Sequence, residues 1–263
     1  MSAPVLTAIV AGVAQITLNR PEKRNALDRA TITALTAELR HCAASTAVRA
    51  VQITGAGKVF CAGADLGEMQ AQAHASEAAN LADAEQLATL LAVLDSLPKP
   101  TLARVNGNGY GGALGLLAAC DIVVVVETAQ FAFTEVRLGI IPAVVSPFVL
   151  GKIGESAARR YFLTAETMAA ATLKELGLAH EVVPADLLDA CCARITEALL
   201  QGAPFALAEA KALVRDVGHA PAAGRAAASI EAAARLARLR VQAEAQEGFA
   251  AFFAKRKASW RQD

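Results

Sequence analysis

Glu135 is a carboxylic acid set among apolar residues, in the run Phe131-Ala132-Phe133-Thr134-Glu135-Val136-Arg137-Leu138-Gly139-Ile140-Ile141-Pro142. Burial disfavours the ionised form of a carboxyl and raises its pKa towards neutrality, which is what proton transfer near pH 7 requires. A blander reading fits the same residues: an exposed Glu135–Arg137 pair at a strand end, worth little energetically. If the segment is extended, the two side chains share a face. Arg137 then tunes Glu135, meets an anionic substrate group, or simply faces solvent.

Two loops of small residues can bring a ligand to such an acid. In Phe60-Cys61-Ala62-Gly63-Ala64-Asp65-Leu66, small side chains permit close approach to the backbone, and Gly63 tolerates angles closed to other residues. Asp65 is placed to cap a helical turn. The second loop, Gly107-Asn108-Gly109-Tyr110-Gly111-Gly112, contains G-x-G-x-x-G between a strand pattern and a helix pattern. Glu127 lies about twenty residues beyond Gly107, so the segment imitates a dinucleotide-binding fingerprint. Against that reading, only a short crossover helix fits before the next strand, and Glu127-Thr128-Ala129 reads equally well as a turn. A helix N-terminus offers unpaired N–H groups and a positive dipole end to a phosphate or to the oxyanion of a thioester enolate. The motif alone does not choose. The tail, Phe249 to Arg261, carries Lys255, Arg256, Lys257 and Arg261; it reads as a solvated helix end or as a phosphate contact.

The elements that must position these segments follow from periodicity. Val5–Val10 and Val13–Leu18 predict a strand pair joined at Ala11-Gly12, and Asn19-Arg20-Pro21 a turn. Asp28 caps a helix over Arg29–Ala44, with Ile32, Leu35 and Leu39 on one face. Ala50–Thr54, Thr101–Val105 and the β-branched Ile122–Val126 predict strands, the last fully buried. Ser76–Leu94 and Ala113–Ala119 predict helices, and Pro98 and Pro100 end the first. Phe131–Val136 predicts a further strand and Val182–Val183 a last one. From about Ser146 the pattern is mostly helical, and from Pro204 onward it is helix on helix. Strands alternating with helices predict an α/β core with parallel sheets. The division falls at residues 1–190 for the core and 191–263 for a helical region.

Composition narrows the function. The chain has 263 residues, 55% of them hydrophobic, and 25 basic residues balance 25 acidic ones. That argues against disorder and leaves no basic field for nucleic acid or an anionic membrane. No run approaches the roughly 18–20 apolar residues of a membrane helix, and the apolar N-terminus lacks a charged leader region. The five cysteines, Cys42, Cys61, Cys120, Cys191 and Cys192, form no C-x-x-C pair. They read as small apolar residues in a reducing cytoplasm, without disulfides. Neither they nor His41, His74, His180 and His219 show metal-ligand spacing, so no metal is expected.

Taken in order, Ile16–Leu27 (ITLNRPEKRNAL), Val59–Leu66 (VFCAGADL), Val105–Ile122 (VNGNGYGGALGLLAACDI), Phe131–Pro142 and Glu247–Lys257 (EGFAAFFAKRK) resemble the enoyl-CoA hydratase/isomerase, or crotonase, family over nearly the whole chain. The resemblance implies a spiral of ββα units with a C-terminal helical region that trimerises, often as a dimer of trimers. It implies a coenzyme A thioester substrate, with CoA as part of the substrate and no separate cofactor. It makes the Ala64 and Gly112 N–H groups the oxyanion-binding donors and Glu135 the acid/base. Arg24, Ala26, Ala62, Asp65 and Leu66 fall where the family contacts the adenine and pantetheine parts of CoA, and Gly63, Tyr110, Thr134 and Arg137 complete the expected substrate-binding set. Phe252 and Lys255 fall where a tail residue, often a neighbouring subunit's, meets the nucleotide end.

The sequence departs from the family at one position. Hydratases of the family commonly carry a second glutamate just after Gly-Gly-Ala-Leu, and Gly115 stands there. The expected reaction is hydration of a 2-enoyl-CoA, with Δ3,Δ2-enoyl-CoA isomerisation as the alternative, since one glutamate suffices to move a proton between carbons. The wording around Gly111–Gly115 and Glu135–Pro147 is most similar to bacterial hydratases of branched, carboxylated enoyl-CoAs. These are the methylglutaconyl-CoA type of leucine breakdown and the isohexenylglutaconyl-CoA type.

Overall fold

The computed structural model describes residues 2–218 and 224–261; His219 lies outside them. Six strands form the main sheet in the order β1-β2-β3-β4-β6-β9. β1 (Val5–Val10) and β2 (Val13–Leu18) are an antiparallel pair, turned by Ala11 and Gly12, both at positive φ. β3 (Ala50–Gly55), β4 (Thr101–Val105), β6 (Ile122–Val126) and β9 (Glu181–Val183) continue it in parallel. β6 is Ile-Val-Val-Val-Val and almost wholly buried, as suits a strand covered on both faces. A second, three-stranded sheet joins β5 (Gly109–Tyr110), β7 (Gln130–Ala132) and β8 (Met168–Ala169).

α1 (Arg29–Ala44) and α3 (Glu77–Asp95) pack on each other over one side of the main sheet. Asp28 starts α1 as expected, accepting hydrogen bonds from Thr31 N–H at 2.8 Å and Thr31 Oγ1 at 2.6 Å. Between them lies α2 (Leu66–Gln72), a short helix capped by Asp65. α4 (Gly112–Ala119) is apolar all round and nearly all buried, packed between α3 and α5 (Ser146–Thr164). α6 (Ala170–Glu175) leads to β9. α7 (Leu188–Gln201) covers β3, β4 and β6, and the 190/191 division falls inside it. α8 (Pro204–Gly218), α9 (Arg225–Arg240) and α10 (Ala243–Phe253) form the helical tail. No described helix is long and apolar enough to cross a membrane. All five cysteines are free, and no described cluster of His, Cys, Asp and Glu could hold a metal ion.

One expected element is corrected. The strand predicted over Phe131–Val136 stops at Ala132, and Glu135–Leu138 is a single 3-10 turn. The ladder has nothing to continue on, because β5 and β8 each supply only two residues. The chain then folds back: Arg137 N–H donates to Thr134 O, Ile140 N–H donates to Glu135 O, and Gly139 takes φ 77°. Glu135 and Arg137 therefore do not share a strand face.

Candidate active site

The two glycine-rich loops lie side by side. Cys61 and Gly109 form a parallel bridge, with Cys61 N–H donating to Asn108 O at 3.2 Å and Tyr110 N–H to Cys61 O at 3.1 Å. The contact is too close for a side chain: a Cβ at Gly63, where φ is 83°, would stand 2.6 Å from the Tyr110 carbonyl oxygen. On its other edge the first loop forms one rung with Leu27. Leu27 N–H donates to Gly63 O at 2.7 Å, and Asp65 N–H donates to Leu27 O at 3.3 Å.

That rung decides what Ala64 can do. In a parallel bridge the bonded groups belong to the flanking residues, so Ala64's own N–H points away from Leu27. It has no acceptor among the described residues, and Ala64 is exposed. Gly112 is the first residue of α4, where an N–H has no intrahelical partner, and it also lacks an acceptor among the described residues. Two unbonded backbone donors thus border the joined loops, one of them at a helix N-terminus, an arrangement suited to an oxyanion.

Glu135 comes to the same place. A Cβ added to Gly111, which precedes Gly112 and has φ 50°, would stand 3.1 Å from Glu135 Oε1. Gly111 N–H is bonded to Ala132 O at 3.0 Å, which fixes the start of α4 against β7 and hence against Glu135. The carboxyl is half-buried, and its Oε2 is a buried atom with no hydrogen-bond partner. Burial pushes the Glu135 carboxyl above its ordinary value of 4.5, and a bond from its own backbone N–H offsets only part of that.

A substitution tests this contact. Gly111→Ala puts a methyl on a positive-φ residue and pushes on the carboxyl, so we expect a stability loss of about 1–3 kcal/mol. The carboxyl must give by a few tenths of an ångström, so kcat should fall, by less than the roughly 100-fold that a full ~1 Å misplacement can cost. Thermal melting and steady-state kinetics measure both.

Gly115, one turn into α4, is closed to any side chain. Its Cβ would stand 2.6 Å from Val145 Cγ1 and 3.0 Å from Leu91 Cδ1, and both residues are buried. The position that a second glutamate's Cβ would take is crowded by apolar atoms, which would have to shift.

Arg24, Ala26 and Ala62 adjoin the loops: Ala62 N–H donates to Arg24 O at 3.0 Å, and the Arg24 side chain is exposed with no ion pair among the described residues. Leu66 is 81% exposed at the start of α2. Tyr110 contributes its carbonyl beside Gly63, while its hydroxyl lies 3.2 Å from Asn108 Nδ2. Asp65 is committed elsewhere, accepting from Gly67 N–H at 2.9 Å and pairing with Arg20 at 3.0 Å.

Thr134 enters through its backbone, where its carbonyl accepts from Arg137 N–H. Arg137 does not pair with Glu135; its Nη2 donates to Ala165 O at 2.8 Å. Phe252 and Lys255 lie exposed at the end of α10, whose Glu244 accepts from Phe205 and Ala206 N–H groups and whose Gly248 packs under Trp260. Sequence reasoning did not single out Arg20 and Asn25, whose side chains tie this segment to the loop. Asn25 is 1% exposed, donates to Ala56 O and Val59 O at 2.8 Å each, and accepts from Arg20 N–H. The sequence signals were the turn at Asn19-Arg20-Pro21 and the place of both residues in the Ile16–Leu27 segment.

Comparison with known proteins identifies the family. Residues 8–263 match the family model for enoyl-CoA hydratase/isomerase. An enoyl-CoA hydratase of Alternaria alternata, ACTT6, is 37% identical over 80% of this chain and 69% of its own. The 2,3-dehydroadipyl-CoA hydratase of Escherichia coli K12 is 36% identical over 76% of this chain and 77% of its own. The crystal structure of an enoyl-CoA hydratase from Shewanella pealeana superposes with a TM-score of 0.94 at 40% identity, covering 98% of this chain and 96% of that one.

Proposed function

Since this chain belongs to the enoyl-CoA hydratase/isomerase family, we propose that it hydrates a 2-enoyl-CoA thioester through an enolate held by the Ala64 and Gly112 N–H groups. The observation that carries this reading is the pair of unbonded N–H groups bordering the half-buried carboxyl of Glu135. The thioester oxygen accepts from both donors, and its negative charge grows as the enolate forms. Glu135, ionised, takes a proton from water as the oxygen bonds to C3. The C2–C3 π electrons move onto the thioester as the enolate. Glu135 then returns the proton to C2, so one carboxyl performs both transfers in sequence. CoA arrives and leaves as part of the substrate, and no separate cofactor takes part.

The isomerase alternative has one observation in its favour, the closed slot at Gly115. With a single carboxyl, a 3-enoyl-CoA can lose a proton at C2 to Glu135 and regain it at C4, with a dienolate held by the same two N–H groups between.

A branched or carboxylated acyl group is part of the proposal. Its support is the sequence wording around Glu135–Pro147, together with a relative named for a dicarboxylic acyl-CoA. Arg137 enters it with one guanidinium nitrogen already bonded to Ala165 O. Self-association as a trimer, or a dimer of trimers, is supported by exposed apolar side chains on the tail helices: Ile230 at 73%, Val241 at 76%, Phe252 at 78% and Phe253 at 79%. In that assembly a neighbour's Phe252 and Lys255 meet the nucleotide end of the substrate. A cytoplasmic setting is supported by the five unpaired cysteines.

Turnover of a panel of linear, 3-methylated and carboxylated enoyl-CoAs tests the substrate class. The proposal predicts kcat/KM highest on the 3-methylated, carboxylated members. A clear preference for short linear substrates overturns that part.

A further inference from the structure

We propose that Arg20 is a positioning residue for the oxyanion-binding pair, clamping the Leu27–Ala64 rung so that the Ala64 N–H stays unpaired and aimed at the substrate. The inference rests on the function proposed above. Arg20 lies between β2 and the 3-10 turn Pro21–Lys23, outside every strand and helix. Its guanidinium makes three contacts at 3.0 Å. Nη1 donates to Ala26 O and pairs with Asp28 Oδ2, and Nη2 pairs with Asp65 Oδ2.

These partners bracket the rung. Ala26 and Asp28 lie on either side of Leu27, whose N–H and carbonyl hold Gly63 and Asp65. Asp65 follows Ala64 directly. Asp28 and Asp65 also cap α1 and α2, so the clamp fixes both helix starts that flank the loop. Arg20 N–H donates to Asn25 Oδ1, and Asn25 donates onward to Ala56 O and Val59 O, which ties the same turn to the start of the Ala64 loop.

The charges give the clamp its leverage. Arg20, Asp28 and Asp65 side chains are only 17%, 19% and 12% exposed. Without the guanidinium, two poorly solvated carboxylates are left on opposite strands of one rung, and their repulsion favours opening it. Burial by itself would raise the Asp65 carboxyl, but bonds from Gly67 N–H and Arg20 outweigh it and hold the carboxyl below its ordinary range. A lysine cannot replace the fork, because one ammonium does not reach three acceptors in fixed geometry.

The test reads the polarisation of the substrate carbonyl directly. An enoyl-CoA labelled with 13C at the thioester carbonyl is bound to the Glu135→Gln chain, which does not turn it over rapidly, and isotope-edited infrared spectra are compared with and without Arg20→Gln. The expected result is a carbonyl stretch lowered on binding to the Glu135→Gln chain, with most of that shift lost when Arg20→Gln is added. In the otherwise wild-type chain, Arg20→Gln should lower kcat by about tenfold or more while CoA affinity changes by less than about twofold. Arg20→Lys should restore neither property. If Arg20→Gln does not fold, Asp65→Asn removes one leg of the clamp without leaving two unpaired carboxylates. It should give a smaller loss of the carbonyl shift in the same direction.

A full carbonyl shift in the Arg20→Gln chain, in the Arg20→Lys chain, or in the Asp65→Asn chain where that replaces them, overturns the inference alone. So does a kcat loss that matches the loss of folded protein. If the Glu135→Gln chain binds the enoyl-CoA with no carbonyl shift at all, the oxyanion reading itself fails and takes the inference with it.

Discussion

Glu135→Gln should remove most turnover, lowering kcat by about 100- to 10,000-fold, while leaving the affinity for CoA nearly unchanged. The amide is almost isosteric with the carboxyl, so the packing against Gly111 is kept. What is lost is the ability to take and return a proton. The unbonded Ala64 and Gly112 N–H groups remain, so the thioester still binds and is still polarised. The same variant should be more thermally stable than the parent near neutral pH. Glu135 has a raised pKa in the folded chain, so its favourable contribution is fully present below 4.5 and is lost as pH rises through the folded value. Glutamine carries no charge to desolvate. The gap in melting temperature should therefore appear at neutral pH and close below pH 4.5. Because ionised Glu135 takes the proton from water, the acid limb of kcat/KM should also lie above 4.5. Melting curves and pH–rate profiles measure these three effects together.

Gly115→Glu, which places a glutamate where hydratases of the family commonly carry one, should damage the protein rather than improve it. A Cβ at Gly115 would stand 2.6 Å from Val145 Cγ1 and 3.0 Å from Leu91 Cδ1. Overpacking of this kind costs about 1–3 kcal/mol, and a carboxyl forced among apolar side chains adds a desolvation cost of similar or larger size. We expect a loss of roughly 3 kcal/mol or more in unfolding free energy and no gain in hydration. Adding Val145→Ala should recover part of the stability, because it removes the nearest atom. Denaturant unfolding of the single and double variants decides this. A Gly115→Glu chain as stable as its parent would show that the slot is open.

Much of this site is legible in the sequence. Glu135 stood out as an acid in an apolar run, and its half-burial against Gly111 follows from those neighbours. Its backbone setting was not legible. The alternation of Phe131–Val136 suits a strand, and only the two-residue partners β5 and β8 end that strand at Ala132. The sequence placed Ala64 and Gly112 through family resemblance, but their lack of acceptors has a longer-range cause. Ala64 is unpaired because Leu27, far away in sequence, bonds its two neighbours instead. The Arg20 clamp is non-local in the same way, since no periodicity links Arg20 to Asp65. Asp65 marks the start of α2 as a capping residue, but the sequence does not show its length, because a seven-residue helix carries too few apolar positions to show a period. The parallel core was legible from Ile122–Val126 and the alternating helices, because buried strands and amphipathic helices declare themselves locally.

The most direct test of the central claim is incubation of the wild-type chain with a 2-enoyl-CoA and, separately, a 3-enoyl-CoA in water enriched in 18O, with the products identified by mass. Hydration through an enolate predicts a hydroxyacyl-CoA from the 2-enoyl substrate that carries one 18O from the solvent. If neither substrate takes up 18O, hydration is contradicted; if neither changes at all, enolate chemistry at Ala64, Gly112 and Glu135 is contradicted.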